Sequence, residues 1–166
     1  MSKTGLASNL LLLVLLAGCA TAAPEVTRQG VAIRLPIEGE RVVVYGEYAN
    51  EIDAVVVWMM ERKIRVIRSS DVEDVPKEQR SILQRSSEAE SDKLKVGRLM
   101  GATQIVAVQV SNEIRSVTVR GISVQTGEQL WQGSAIYTGP LTPLPEFTGY
   151  LVRNALYAAW SAPRRP

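Results

Sequence analysis

The chain has 166 residues, one domain's worth and long enough to bury a proper core. Its 19 Lys and Arg stand against 17 Asp and Glu, a balance that offers no electrostatic footprint for nucleic acid. There is no His, which removes the commonest general base, proton shuttle and metal ligand together, and with them the Ser-His-Asp and Cys-His nucleophile arrangements.

At the N-terminus Lys3 supplies a positive charge, residues 10–16 (LLLLVLL) form a short apolar core, and Ala17 and Gly18 are small. A membrane-spanning helix needs roughly 20 apolar residues, so this run is too short to remain as a span. The sequence Leu16-Ala17-Gly18-Cys19 resembles the lipobox of bacterial lipoproteins, in which the thiol receives diacylglycerol before cleavage. The resemblance implies a signal peptide over 1–18 and lipid on Cys19. Each buried methylene adds about 0.8 kcal/mol, so two or three acyl chains anchor durably where one does not. Ala20 takes the place where retention at the inner membrane needs Asp, which implies the periplasmic face of the outer membrane. With Cys19 lipidated no thiol remains, and no disulfide forms although the periplasm permits one.

Residues 20–29 (ATAAPEVTRQ) are small and polar and read as a tether, followed by a domain over 30–162 and a basic tail over 163–166. Val31, Ile33 and Leu35 alternate with Ala32 and Arg34, a strand signal stopped by Pro36. Residues 38–40 form a turn and 42–45 a second short strand. Asn50 is a good N-cap, with Asp53 in the first turn, where a carboxylate suits the free amides. The run after it (Ile52, then 54–60) is apolar nearly all round, which predicts a helix buried on most sides, although Val55-Val56-Val57 is β-branched and also admits a strand.

Residues 63–68 (KIRVIR) predict a strand. Pro76 opens a mostly polar surface helix through Glu78, Ile82 and Leu83 to about residue 86. A further helix over about 91–100 turns Val96, Leu99 and Met100 inward and closes on Gly101. Residues 105–110 (IVAVQV) read as a strand covered on both faces. Two more strands, 113–124 and 129–137, are joined by Gln125-Thr126-Gly127-Glu128, and alternation slips between Val119 and Ile122, which puts a bulge at Gly121. Pro145 opens a last helix through Tyr150, Leu151, Leu156 and Trp160, ended by Pro163. The fold class is α/β (α+β): a central mixed sheet flanked by helices, with a C-terminal strand hairpin and a terminal helix.

For chemistry without His, carboxylates come first. Asp71, Glu73 and Asp74 cluster, as do Glu88, Glu90 and Asp92, but both groups lie in polar segments beside Lys77, Lys93 and Lys95 and read as solvated faces. Ser69-Ser70 and Ser86-Ser87 have no patterned base, the Ser-x-x-Lys spacing does not occur, and there is no Gly-rich phosphate loop. Gly97 and Gly101, four apart, read as close packing. Residues 125–132 (QTGEQLWQ) resemble one blade of a quinoprotein-type propeller, but propellers need several copies and this chain has one. The sequence therefore predicts no catalysis, no cofactor and no metal site. At the other end Trp160 follows Tyr157 and precedes Arg164 and Arg165. These residue types suit the headgroup level of a bilayer and its anionic lipids, and Trp160 equally suits packing of the last helix on the sheet.

Taken together, residues 31–36 (VAIRLP), the helix ending Met60-Glu61-Arg62, residues 64–71 (IRVIRSSD), residues 97–106 (GRLMGATQIV) and the Thr126-Gly127-Glu128 hairpin resemble the periplasmic domain of the CsgG family, the curli secretion lipoproteins. The same core occurs in LpoB-type activators of peptidoglycan synthases and PelC-type exopolysaccharide export lipoproteins, and the resemblance covers most of 30–137. The curli channel adds long amphipathic hairpins to build a barrel. A spanning strand needs about 9–11 alternating residues, and the surplus segment near 42–48 is too short. The resemblance thus implies a lipid-anchored, non-catalytic homo-oligomer, ring-forming, in an envelope secretion or polysaccharide-export machine. The alternative is a regulatory module that crosses the periplasm to activate a peptidoglycan synthase. A tether of residues 20–29, at most ~3.5 Å per residue, favours the first.

Overall fold

The computed structural model describes residues 25–67, 90–139 and 144–164. They form six strands and three helices: β1 (Val26–Ala32), β2 (Arg41–Tyr45), α1 (Ala49–Glu61), β3 (Arg65–Ile67), α2 (Glu90–Leu99), β4 (Gln104–Ser111), β5 (Ser116–Ser123), β6 (Gln129–Tyr137) and α3 (Leu144–Ser161). The strands make one sheet in the order β1-β6-β5-β4-β2-β3. Antiparallel pairs run from β1 to β4, and β4, β2 and β3 are parallel. This is the mixed sheet flanked by helices that the sequence predicts. The expected helix from Pro76 lies outside the described residues.

Alternation along the strands divides the core between two faces. Val42, Val106, Val108, Val117, Val119, Trp131 and Ala135 face a layer made by α1 and α3. Val43, Tyr45, Ile105 and Ala107 face Val96 of α2 and Met100 just beyond its end. Both faces of β4 are therefore covered, which is why it reads as a continuous apolar run.

Helix α2 ends as its sequence requires. Gly101 takes φ +65°, its amide donates to the Arg98 carbonyl, and Ala102 N–H donates to the Gly97 carbonyl, the paired bonds of a Schellman stop. Leu99, expected inward, is 61% exposed, whereas Val96 and Met100 are buried. Helix α1 closes in the same way without a glycine: Lys63 takes φ 56°, and Lys63 and Ile64 donate to the Met60 and Met59 carbonyls. That stop occupies Lys63, so the strand expected from it begins only at Arg65.

Three other expectations shift. Strand β1 starts at Val26, so residues 26–29, read as tether, lie in the sheet, paired with residues 134–137 of β6. An edge strand with polar Thr27 and Gln29 on its open side carries little apolar signal. The N-cap of α1 is Tyr48 rather than Asn50, which places Glu51, not Asp53, at the third helical position. Helix α1 is also less enclosed than its composition suggests, because Val57 and Met60 on its outer side are 45% and 62% exposed.

The bulge falls where expected, as a register shift between Gly121 and Ile122. Its cause is steric. A Cβ on Gly121 would stand 1.9 Å from the Trp131 indole nitrogen, so only glycine leaves room for that buried ring.

Candidate functional site

The carboxyl ends of β2 and β4, adjacent parallel strands, open into a cleft of about 400 Å³. Crevices at that end of parallel strands are the usual ligand positions of open α/β sheets. Tyr45 comes from β2, Gln109 from β4, Arg120 from β5, and Glu90 and Lys93 from α2. Lys93 is only 4% exposed, and its ammonium lies 4.2 Å from the centroid of the Tyr45 ring. Burial pushes the Tyr45 phenol above its usual range, and the Arg120 charge pulls against that shift. Arg120 itself donates to Glu90 at 2.7 Å. Lys93, Arg120 and Glu90 at this cleft are thus committed to aromatic or ionic neighbours. Lys93, which the sequence places on a solvated face, is missed because the ring that covers it lies far away in the chain.

A second polar group was equally invisible. Glu51 is 1% exposed, and neither carboxylate oxygen has a hydrogen-bond partner among the described residues. Burial pushes its pKa up to about 7. The backbone amide of Tyr48 opposes the shift without forming a hydrogen bond of ordinary geometry, and the Glu47 charge adds to it.

At the opposite end of the sheet a chain of hydrogen bonds running from the core out to the exposed Arg34 fixes Trp131. Its Nε1 donates to Gln104 Oε1 at 3.0 Å, Gln104 Nε2 donates to Glu40 at 3.4 Å, and Glu40 pairs with Arg34. The other two tryptophans join this ring: Trp160 lies edge-on to Trp58 and to Trp131, with centroids 5.9 and 5.2 Å away. The Arg62 guanidinium stacks 3.6 Å from the centroid of Trp58.

Of the residues singled out in the sequence, Cys19, Asp71, Glu73, Asp74, Glu88 and Arg165 lie outside the described residues. Glu90 and Asp92 are in ion pairs with Arg120 and Lys95. Arg164 makes a backbone bridge to Ala32, which lays the start of the tail along β1. Trp160 is partly buried, its ring against the other two indoles, so one of the two roles open to it, packing, is present. Trp160→Ala is therefore expected to cost about 2 kcal/mol, below the range for a fully buried Trp. The check is a lower melting temperature with a weakened near-UV tryptophan signal, and an unchanged melting temperature would refute the packing role.

Among the described residues no group of three His, Cys, Asp or Glu side chains is placed to hold a metal ion. No described helix is long and apolar enough to cross a membrane.

No protein-family model matches the chain. No curated protein matches it. Solved structures do. A dodecamer of PelC from Paraburkholderia phytofirmans carrying one substitution aligns with a TM-score of 0.52 at 12% identity, covering 81% of this chain and 97% of that one. A second PelC dodecamer from the same organism gives 0.51 at 10% identity over 83% and 100%. The C-terminal domain of LpoB from Escherichia coli gives 0.48 at 15% identity over 64% and 87%. The chain has the PelC fold, aligned over nearly the whole of the PelC chain.

Proposed function

We propose that this protein is an outer-membrane lipoprotein, held by lipid on Cys19, whose domain self-assembles as a non-catalytic subunit of an envelope secretion or polysaccharide-export system. The observation that carries the reading is the start of β1 at Val26. It leaves only residues 20–25 between lipid and sheet, a reach of at most about 20 Å. A domain so tethered works beside the membrane, which suits an export assembly and not an activator that must cross toward the cell wall. The fold adds support, since the PelC chains that share it are dodecamers. In this reading the basic tail, Arg164 and Arg165, and the exposed rim of Trp160 face the headgroups, and closed contacts between copies build the ring.

Cys19→Ser tests the anchor. The variant is expected to lose incorporation of labelled palmitate and to leave the outer-membrane fraction, as unprocessed or soluble protein. Mature, lipid-labelled variant in the outer membrane would sink the proposal.

A further inference from the structure

Helices α1 and α3 lie side by side over the sheet, and their outer sides are largely solvent-exposed, with the Arg28 guanidinium 5.3 Å from the centroid of the Tyr157 ring. Those sides are unusually apolar for a helical layer. Val57 and Met60 of α1 are 45% and 62% exposed, and Tyr150 and Tyr157 of α3 are 40% and 53% exposed. Singly exposed apolar residues need no explanation, but four on two adjacent helices form a patch, and patches mark interaction sites. Between the helices runs a groove of about 430 Å³ walled by Asp53 and Val57 on one side and Tyr150 and Arg153 on the other. Gly149 keeps its floor open, since a Cβ there would meet nothing within 4 Å.

The charges of this groove decide what fits it. Asp53 and Arg153 are both exposed and opposite in sign, yet neither has an ion-pair or hydrogen-bond partner among the described residues. Apart from Asn50, the rest of the groove lining is uncharged and apolar or aromatic. A surface that carries apolar ridges, a groove to receive them and one free charge of each sign is complementary to itself. Self-complementarity of a single patch produces an isologous, two-fold contact, in which residue i meets j and j meets i.

We infer that the α1–α3 face is a two-fold interface between copies of this chain, in which Asp53 of each copy pairs with Arg153 of the other across packed Val57, Met60 and Tyr150 side chains. The inference rests on the self-assembly reading and adds a two-fold contact that joins copies in pairs, separate from the head-to-tail contacts that close a ring. It requires an even number of copies, because every such contact joins two. Charges rimming an apolar contact set register and exclude wrong partners, and like charges brought together there are strongly unfavourable.

The test uses the full chain purified in mild detergent, its mass followed against concentration by sedimentation velocity. Wild type is expected to associate to even-numbered species. Arg153→Glu and Asp53→Arg alone are each expected to weaken association by roughly tenfold or more, and the double charge swap to restore it, with melting temperatures unchanged throughout because both residues are exposed. Association unaffected by either single variant would overturn this interface and leave the assembly reading standing. Single variants that weaken association without rescue by the swap would also overturn the pairing. Wild type that stays monomeric at every concentration would remove both the interface and the assembly reading.

Discussion

Gly133→Ala is expected to destabilise the domain by about 3 kcal/mol, the upper end of the usual cost of overpacking. The cause is one methyl group. A Cβ on Gly133 would stand 1.8 Å from the Ala155 carbonyl oxygen, and one on Gly30 would stand 2.0 Å from the Ala158 carbonyl oxygen. Gly30 and Gly133 are cross-strand partners in β1 and β6, so together they form a smooth trough in the sheet. Helix α3 lies in that trough with its small face, Ala155 and Ala159, fully buried. What the methyl would strike is helix backbone, which has no rotamer to escape into, so the whole helix must lift from the sheet. Lifting α3 also parts Trp160 from Trp131, 5.2 Å away across the same interface. A fall in melting temperature of about 10 °C is expected for a domain of this size, together with loss of near-UV tryptophan ellipticity. Ser134→Ala, the neighbouring position on the opposite face of β6, removes only a part-buried hydroxyl pair with Thr118, so it should cost about 1 kcal/mol and leave the near-UV signal close to wild type. Equal behaviour of the two variants would overturn the account.

The same trough shows what the sequence conveys and what it does not. Elements whose cause is local were legible: Gly101 announces the end of α2, Gly127 takes the positive φ its hairpin requires, and the apolar run of β4 reports cover on both faces. The bulge at Gly121 was legible as a break in alternation, although its reason, the Trp131 ring, was not. Features whose cause is tertiary left no local trace. Gly30 and Gly133 look like weak points in strands until a helix is laid on them. Residues 26–29 look like linker because the edge strand they form is polar on its open side and rests against the sheet by backbone pairing. Lys93 sits between an acid and a leucine in a charged helix, and only the distant Tyr45 ring makes it a buried cation. Of the candidate surface, Val57 and Met60 look buried in the sequence, because an apolar residue on a helix does not declare whether its neighbour is this chain or another.

Glu51 gives the second large effect, one that depends on pH. Its carboxyl is shut away at the start of α1 behind Gly46, whose added Cβ would meet Glu51 Oε2 at 3.6 Å. Burial raises its pKa from the ordinary 4.5 to about 7 in the folded chain. Below the unfolded value both states hold the proton and the group adds nothing to the pH dependence. Between 4.5 and about 7 the folded state keeps a proton that the unfolded chain has released, so folding stability falls as pH rises. Above that window the carboxylate is charged, buried and without a hydrogen-bond partner among the described residues, and the full penalty is on the order of 3 kcal/mol. The chain has no His, which leaves the range from pH 5 to 8 nearly free of other titrating side chains. Wild type is therefore expected to melt at a clearly higher temperature at pH 5 than at pH 8. Glu51→Gln keeps the shape and removes the charge, so it should raise the melting temperature at pH 8 and flatten the profile between the two. A wild-type profile already flat across this range, or a Gln variant with the same slope as wild type, would mean that the carboxyl reaches solvent or a partner when it ionises. The first strand and helix of the parallel unit would then open locally above pH 7 in place of carrying a buried charge.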